Sequence, residues 1–315
     1  MANHRKSVCA RVENFSVALL CLLIAACHQG TGDVKGKRVY TVPAHIQAED
    51  FQTPLDRALT RKITTLLEKT GLKEAISLYY QEWHDRLSIN VNNVTKVRVS
   101  ATQYPWLYDM VSQAASALDV PLPITYLVHS SVPKSYITNV TTPTLVLHSE
   151  VITLLDREEL LCMIGHELGH VKSEHVLLRD VVSAVLYAAE KIPLGDKLAP
   201  LSLLLWTREA EISADRVGLL LVQDESICSR ALIKLVLGLP EEAGSINVEE
   251  FLRQKTETEQ GAIMLQRLPV LLAEAKATPP FVGTRVRELV NFIRSSRFDE
   301  LLRRDQKSTI EIDLH

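Results

Sequence analysis

Gly165-His166-Glu167-Leu168-Gly169-His170 is the stretch on which the reading of this chain turns. It spells HExxH and lies in a helical pattern over 156–176. The start of that pattern carries Asp156, Glu158 and Glu159, which suit the positive end of a helix dipole. Residues four apart on an α-helix lie one turn above each other, so His166 and His170 share a face. Two imidazoles so placed can converge on one zinc ion at about 2.0–2.1 Å each. Glu167, one position further round, can then take a proton from a metal-bound water. A charged amphipathic helix also produces this hexapeptide by chance, so the rest of the chain has to decide.

A catalytic zinc takes three protein ligands and keeps one position open. The pattern HExxHxxGxxH is absent, because His170 is followed by Val171-Lys172-Ser173-Glu174-His175. A carboxylate on a later helix is the remaining choice. Arg208-Glu209-Ala210-Glu211-Ile212-Ser213-Ala214-Asp215-Arg216 offers one. Glu211 and Asp215 share a helix face, so Glu211 can ligate while Asp215 holds a histidine ring from behind and fixes its tautomer. The alternative is a solvated face of helical ion pairs, and the HExxH upstream weighs against it. His175 reads as decoration of the helix end, and His129 and His148 as residues flanking strands.

Outward from these helices, the pattern gives a mainly helical α+β chain with a small sheet directly before the HExxH helix. Apolar spacing predicts helices over 54–69, 72–86, 104–118, 176–190, 198–222, 226–238, 246–276 and 285–297. Alternation predicts strands over 94–99, 124–128, 135–138 and 144–147. The tail from Asp305 reads as poorly ordered. Neither 176–192, interrupted by charges, nor 198–207 matches the roughly 20 apolar residues needed to span a membrane. The domain reading is a leader over 1–27, a flexible tether over 28–50, a helical region over 51–90, a catalytic domain over 91–297 and a tail over 298–315.

The leader differs in character from the rest of the chain. His4, Arg5, Lys6 and Arg11 precede an uncharged apolar run over 17–26, the layout of a signal peptide. It ends Ile24-Ala25-Ala26-Cys27, which resembles a bacterial lipobox, so Cys27 is the expected lipidation site; cleavage near Ala26 without lipid, or an uncleaved anchor, are the alternatives. Cys162, four residues before His166, reads as a free core thiol, although pairing with Cys228 stays open. The composition is 46% hydrophobic and 23% charged with a net charge of −3. It has no basic patch interleaved with aromatics, so nucleic acid is not an expected partner.

HELGH together with ExSAD resembles the HtpX-like and CAAX-prenyl-protease-like zinc metallopeptidases, a zincin family with HExxH and a downstream ExxxD. The likeness extends to Glu158-Glu159-Leu160 and His175 around the first motif, and to Trp206-Thr207-Arg208 and Arg216-Val217-Gly218-Leu219 around the second. It implies a zincin-like fold, one zinc per chain on His166, His170 and Glu211, and Glu167 as catalytic base. Where that family commonly carries Asn-Ala-Tyr before the helix, this chain has Lys134-Ser135-Tyr136. Where it carries His-Pro-Phe, this chain has Thr278-Pro279-Pro280-Phe281 before Arg285. Ser135, Tyr136 and Arg285 are therefore the candidates for contact with substrate or transition state.

The expectation is a zinc endopeptidase held to a bacterial envelope membrane by a lipid on Cys27, facing the periplasm or exterior. Its expected substrates are unfolded or damaged proteins. The alternative is a non-catalytic zinc-binding chaperone or scaffold that keeps the peptidase fold.

Overall fold

The computed structural model describes residues 36–190, 198–239, 247–253 and 280–314. The leader with Cys27, most of the helical pattern over 246–276, and Thr278-Pro279 lie outside the described residues. Strand β1 (Lys37–Pro43) pairs antiparallel with β6 (Lys307–Asp313), Lys37 opposite Asp313 and Pro43 opposite Lys307. Two expectations are corrected here. Part of the predicted tether is a strand, and so is the predicted disordered tail. Alternation explains both, since Tyr40 and Val42 on β1 and Ile310 and Ile312 on β6 turn inward and are buried.

Helices α1 (Ala48–Phe51), α2 (Pro54–Lys69) and α3 (Leu72–Tyr79) follow β1. Thr53 caps α2, its side chain accepting from Asp56 N, and Pro54 occupies the first turn, where a missing N–H costs nothing. A π-turn at Tyr80–His84 carries the chain into α4 (Asp85–Thr95). The strand expected over 94–99 is therefore only β2 (Val97–Arg98), because α4 runs on to Thr95. Asp85 anchors α4. Its buried carboxylate accepts from the Val140, Thr141 and Thr142 amides and the Thr141 hydroxyl, at 2.7–3.4 Å.

After α5 (Pro105–Ala117), strands β3 (Ile124–Val128), β4 (Ser135–Thr138) and β5 (Thr144–His148) join β2 in the order β2-β3-β5-β4. β3 and β5 are parallel, whereas β4 is antiparallel to β5 and forms an edge. Its inner face is anchored by Ile137, fully buried.

α6 (Ser149–Leu154) leads to α7 (Arg157–Lys172), the HExxH helix. Asp156 caps α7, accepting from the Glu158 and Glu159 amides, while Glu159 accepts from the Asp156 amide at 3.0 Å. This reciprocal box satisfies donors a helix start leaves unpaired. Glu159 is buried and also pairs with Lys234 at 2.5 Å and Arg230 at 3.4 Å. The remaining elements are α8 (His175–Glu190), α9 (Leu198–Val222), α10 (Glu225–Leu237), α11 (Val282–Ile293) and α12 (Ser296–Leu302). No helix among the described residues is long and apolar enough to cross a membrane.

α7 and α9 pack backbone to backbone. A methyl group placed on Gly165 would lie 2.8 Å from Gly218 Cα, and one on Gly169 would lie 3.2 Å from Ala214 Cα. One on Gly218 would overlap the Cys162 carbonyl. Small residues thus set the spacing between the helix that carries the histidines and the helix that carries Glu211. Gly218→Ala should gain helix propensity, about 1 kcal/mol, yet lose more through overpacking and reduce unfolding free energy by about 2 kcal/mol net. Denaturant titration measures this, and a variant as stable as wild type would contradict the tight crossing.

Cys162 and Cys228 are disulfide-bonded, joining α7 to α10, so the free-thiol expectation is corrected. The helix packing brings their Cα atoms to 5.7 Å, within the normal bridging range. The bond closes a loop of 66 residues, a cross-link worth about 4 kcal/mol in the chain-entropy picture.

Candidate metal centre

α7 is buried on every side from Glu159 to His170, and its two histidines face α9. His166 Nε2 and His170 Nε2 lie 3.3 Å apart. Glu211 reaches both, with Oε2 at 3.6 Å from His166 Nε2 and Oε1 at 3.5 Å from His170 Nε2. The three donor groups lie within 4.8 Å of one another. Two imidazole nitrogens and a carboxylate converging so closely suit a divalent cation, which would relieve the opposition of facing lone pairs and leave a fourth position open.

Asp215, one turn beyond Glu211, accepts from His166 Nδ1 at 2.8 Å. Arg285 of α11 grips the same carboxylate with two bonds, Nε to Oδ2 at 2.8 Å and Nη2 to Oδ1 at 2.6 Å, the latter oxygen shared with His166. Burial opposes the charge on Asp215, but Arg285 and His166 outweigh it and hold the carboxyl at about 2. Burial likewise opposes protonation of His166, and Asp215 overcomes it, so that ring sits above its ordinary value. Burial, reinforced by the neighbouring His166 and His175, holds His170 well below its ordinary value, so it is neutral near pH 7.

Glu167 is buried next to the cluster and accepts from Ser135 Oγ at 2.7 Å. Burial raises its carboxyl above the usual range despite His166 and Ser135. A carboxylate tuned in that direction is better matched to proton transfer near neutral pH. Arg179 of α8 donates to the Ile137 carbonyl of β4 at 2.8 Å, and its charge offsets part of the shift on Glu167.

The sequence-predicted residues thus divide. His166, His170, Glu211, Glu167 and Asp215 come together. Ser135 is at the site, hydrogen-bonded to Glu167. The Arg285 guanidinium is engaged by Asp215. Tyr136 packs edge-on against His148, ring centroids 6.0 Å apart, with Lys134 over its face. The sequence reading missed Asp56 and Arg179, and gave His175 only the role of decorating the helix end. His175 is 2% exposed, with Nδ1 3.1 Å from His170 Nδ1 and Nε2 3.1 Å from Asp56 Oδ1. Asp56 looks in sequence like an ordinary acidic residue in a helix's first turn, and no local signal links it to a partner more than a hundred residues away.

A buried carboxylate poised beside a converging His–His–Glu set, with a strand edge alongside, defines the metallopeptidase class. Residues 101–293 match Peptidase family M48, and the chain belongs to that family. It is 29% identical over 274 residues to the plastoglobule-localized metallopeptidase 48, chloroplastic, of Arabidopsis thaliana, covering 84% of this chain and 79% of that protein. A protease HtpX homolog of Sulfurihydrogenibium sp. is 31% identical over 83 residues, 26% of this chain and 28% of the relative. Another, of Burkholderia lata, is 23% identical over 256 residues, 70% and 85% of the two chains. No solved structure gives a significant match.

Proposed function

We propose that this chain is a zinc-dependent endopeptidase that cleaves unfolded or damaged proteins. The observation that carries the reading is the convergence of His166, His170 and Glu211 within 4.8 Å of one another, with Glu167 next to them. His166 and His170 would hold the ion through Nε2 and Glu211 through its carboxylate. When bound, zinc supplies Lewis acidity that lowers the pKa of a water and polarises a peptide carbonyl. Glu167 takes the proton of the attacking water and later delivers it to the leaving amine. The Ser135 hydroxyl orients Glu167 for both transfers. The edge of β4 can pair with an extended peptide through backbone hydrogen bonds, which read shape and not sequence and so suit unfolded substrates.

A bacterial envelope location, with a lipid on Cys27 holding the chain to the membrane, completes the proposal. The Cys162–Cys228 disulfide supports it, since such bonds persist in oxidising compartments. The charge-free run over 17–26 that ends at Cys27 is consistent with it.

Glu211→Ala tests the ligand set. It should weaken zinc binding by about 100-fold or more, beyond what outer-shell changes cost, and abolish cleavage of casein. Metal content per purified chain measures the first and peptide release the second. Full zinc occupancy in this variant would remove Glu211 from the ligand set.

A further inference from the structure

Each proposed ligand histidine is backed by a buried carboxylate, but by different routes. His166 meets Asp215 directly. His170 meets another histidine, His175, and only through it the carboxylate of Asp56 on α2. Asp56 lies outside residues 101–293, the part that matches the family. It reaches the site because the start of α2 is pinned to α9, the Thr53 amide donating to Ser213 Oγ at 3.0 Å.

The polarity of this chain of hydrogen bonds can be worked out from donor and acceptor chemistry. The Trp206 indole is a donor only, and its Nε1 lies 2.9 Å from Thr60 Oγ1. Thr60 therefore directs its own proton to Asp56 Oδ1, at 2.9 Å. Burial pushes the Asp56 carboxyl up, but its side-chain hydrogen bonds, led by that from His175, hold it below its ordinary value. An ionised carboxylate only accepts, so the proton between Asp56 and His175 sits on His175 Nε2. With its one proton on Nε2, His175 offers Nδ1 as an acceptor, and in this arrangement the proton between the two histidines sits on His170 Nδ1. That leaves His170 Nε2 bare, with its lone pair toward Glu211 and His166.

We propose that Asp56 and His175 are positioning residues for the metal centre: a buried Asp56–His175–His170 relay that locks His170 in the tautomer whose Nε2 can ligate. Trp206 fixes the His175 ring from the side, edge to face with centroids 5.7 Å apart. Asp56 and His175 are 0% and 2% exposed, so water cannot substitute for either partner. The N-terminal helices are thereby part of the active centre.

The relay rests on His166, His170 and Glu211 being the ligands, and its test has a readout independent of that reading. Nitrogen-15 NMR of the histidine rings in metal-free protein should find His170 as the Nδ1–H tautomer and His175 as the Nε2–H tautomer. Finding His170 as Nε2–H would overturn the relay, whatever the metal affinity. In Asp56→Asn, which keeps the shape and removes the obligate acceptor, the His170 tautomer should become mixed. The zinc Kd, read by competition with a chromophoric chelator, should rise about 10- to 100-fold with the melting temperature nearly unchanged. A folded Asp56→Asn protein with a Kd within about twofold of wild type would also overturn it, since a structural role would move stability and leave affinity alone. If that variant does not fold, the wild-type tautomers decide.

Discussion

Glu167→Gln should leave the protein folded and metal-loaded and lower peptide hydrolysis by about 10²–10⁴-fold, the range for losing a positioned acid–base group. The substitution is nearly isosteric and can keep the Ser135 hydrogen bond, now 2.7 Å to a carboxylate oxygen. It removes the group proposed to carry the proton from water to the leaving amine. The loss should fall on kcat more than on KM, because Glu167 acts in the transition state. Burial of this carboxylate makes glutamine easy to accommodate, since an amide carries no charge to desolvate. Turnover of a fluorogenic peptide and metal content, measured on the same preparations, decide the matter. Equal turnover in variant and wild type would take the role from Glu167; a folded, zinc-loaded wild type that cleaves nothing would favour a scaffold.

Arg285→Ala should destabilise the fold strongly. It removes the cation bound bidentately to Asp215, 4% exposed, and leaves the carboxylate with the His166 hydrogen bond. Removing one partner of a buried pair typically costs about 3–5 kcal/mol, or roughly 10 °C in Tm for a chain of this size. The pH dependence should change with it. The folded-state value of Asp215 is depressed to about 2 from an ordinary 3.8, so its stabilising contribution is present above the ordinary value and fades as pH falls toward 2. Without Arg285 the folded value rises, that contribution shrinks, and the variant unfolds at higher pH than wild type. Arg285→Lys should recover part of the loss, because it restores charge and not the two-pronged grip. Thermal melts from pH 3 to pH 7 measure all three, and an unchanged Arg285→Ala melt would show that the pair contributes nothing net.

The parts of this protein written in local pattern were legible in its sequence. The helix over 198–222 has the predicted limits; four-residue spacing marked out HExxH and the Glu211–Asp215 pair separately, and the family resemblance joined them into one site. Features that depend on a distant partner were not legible. Asp85 pins the start of α4 to a loop more than fifty residues away, a bond that no local pattern announces. Cys162 and Cys228 bond because two helices meet in a particular register. Asp56 and His175 each have an ordinary local reading, a first-turn acid and a helix-end histidine. Packing of α2 against α9 brings Asp56 to the site, and the turn from α7 into α8 folds His175 back onto His170. Arg285 stands out in the sequence by its position after Phe281, but its partner is fixed by the docking of α11.

The pairing of β1 with β6 sets an order of events in time. β1 precedes every other described element and β6 follows them all, so the sheet cannot close until the chain between them has been made. Until then the inward faces of Tyr40 and Val42 wait for Ile310 and Ile312, while helices such as α7 can form from nearby residues within microseconds. A contact between segments so far apart carries the largest loop entropy and forms slowly. During that interval β1 is an unpaired edge, the feature that invites wrong partners in a nascent chain. The last strand finishes what the first one starts.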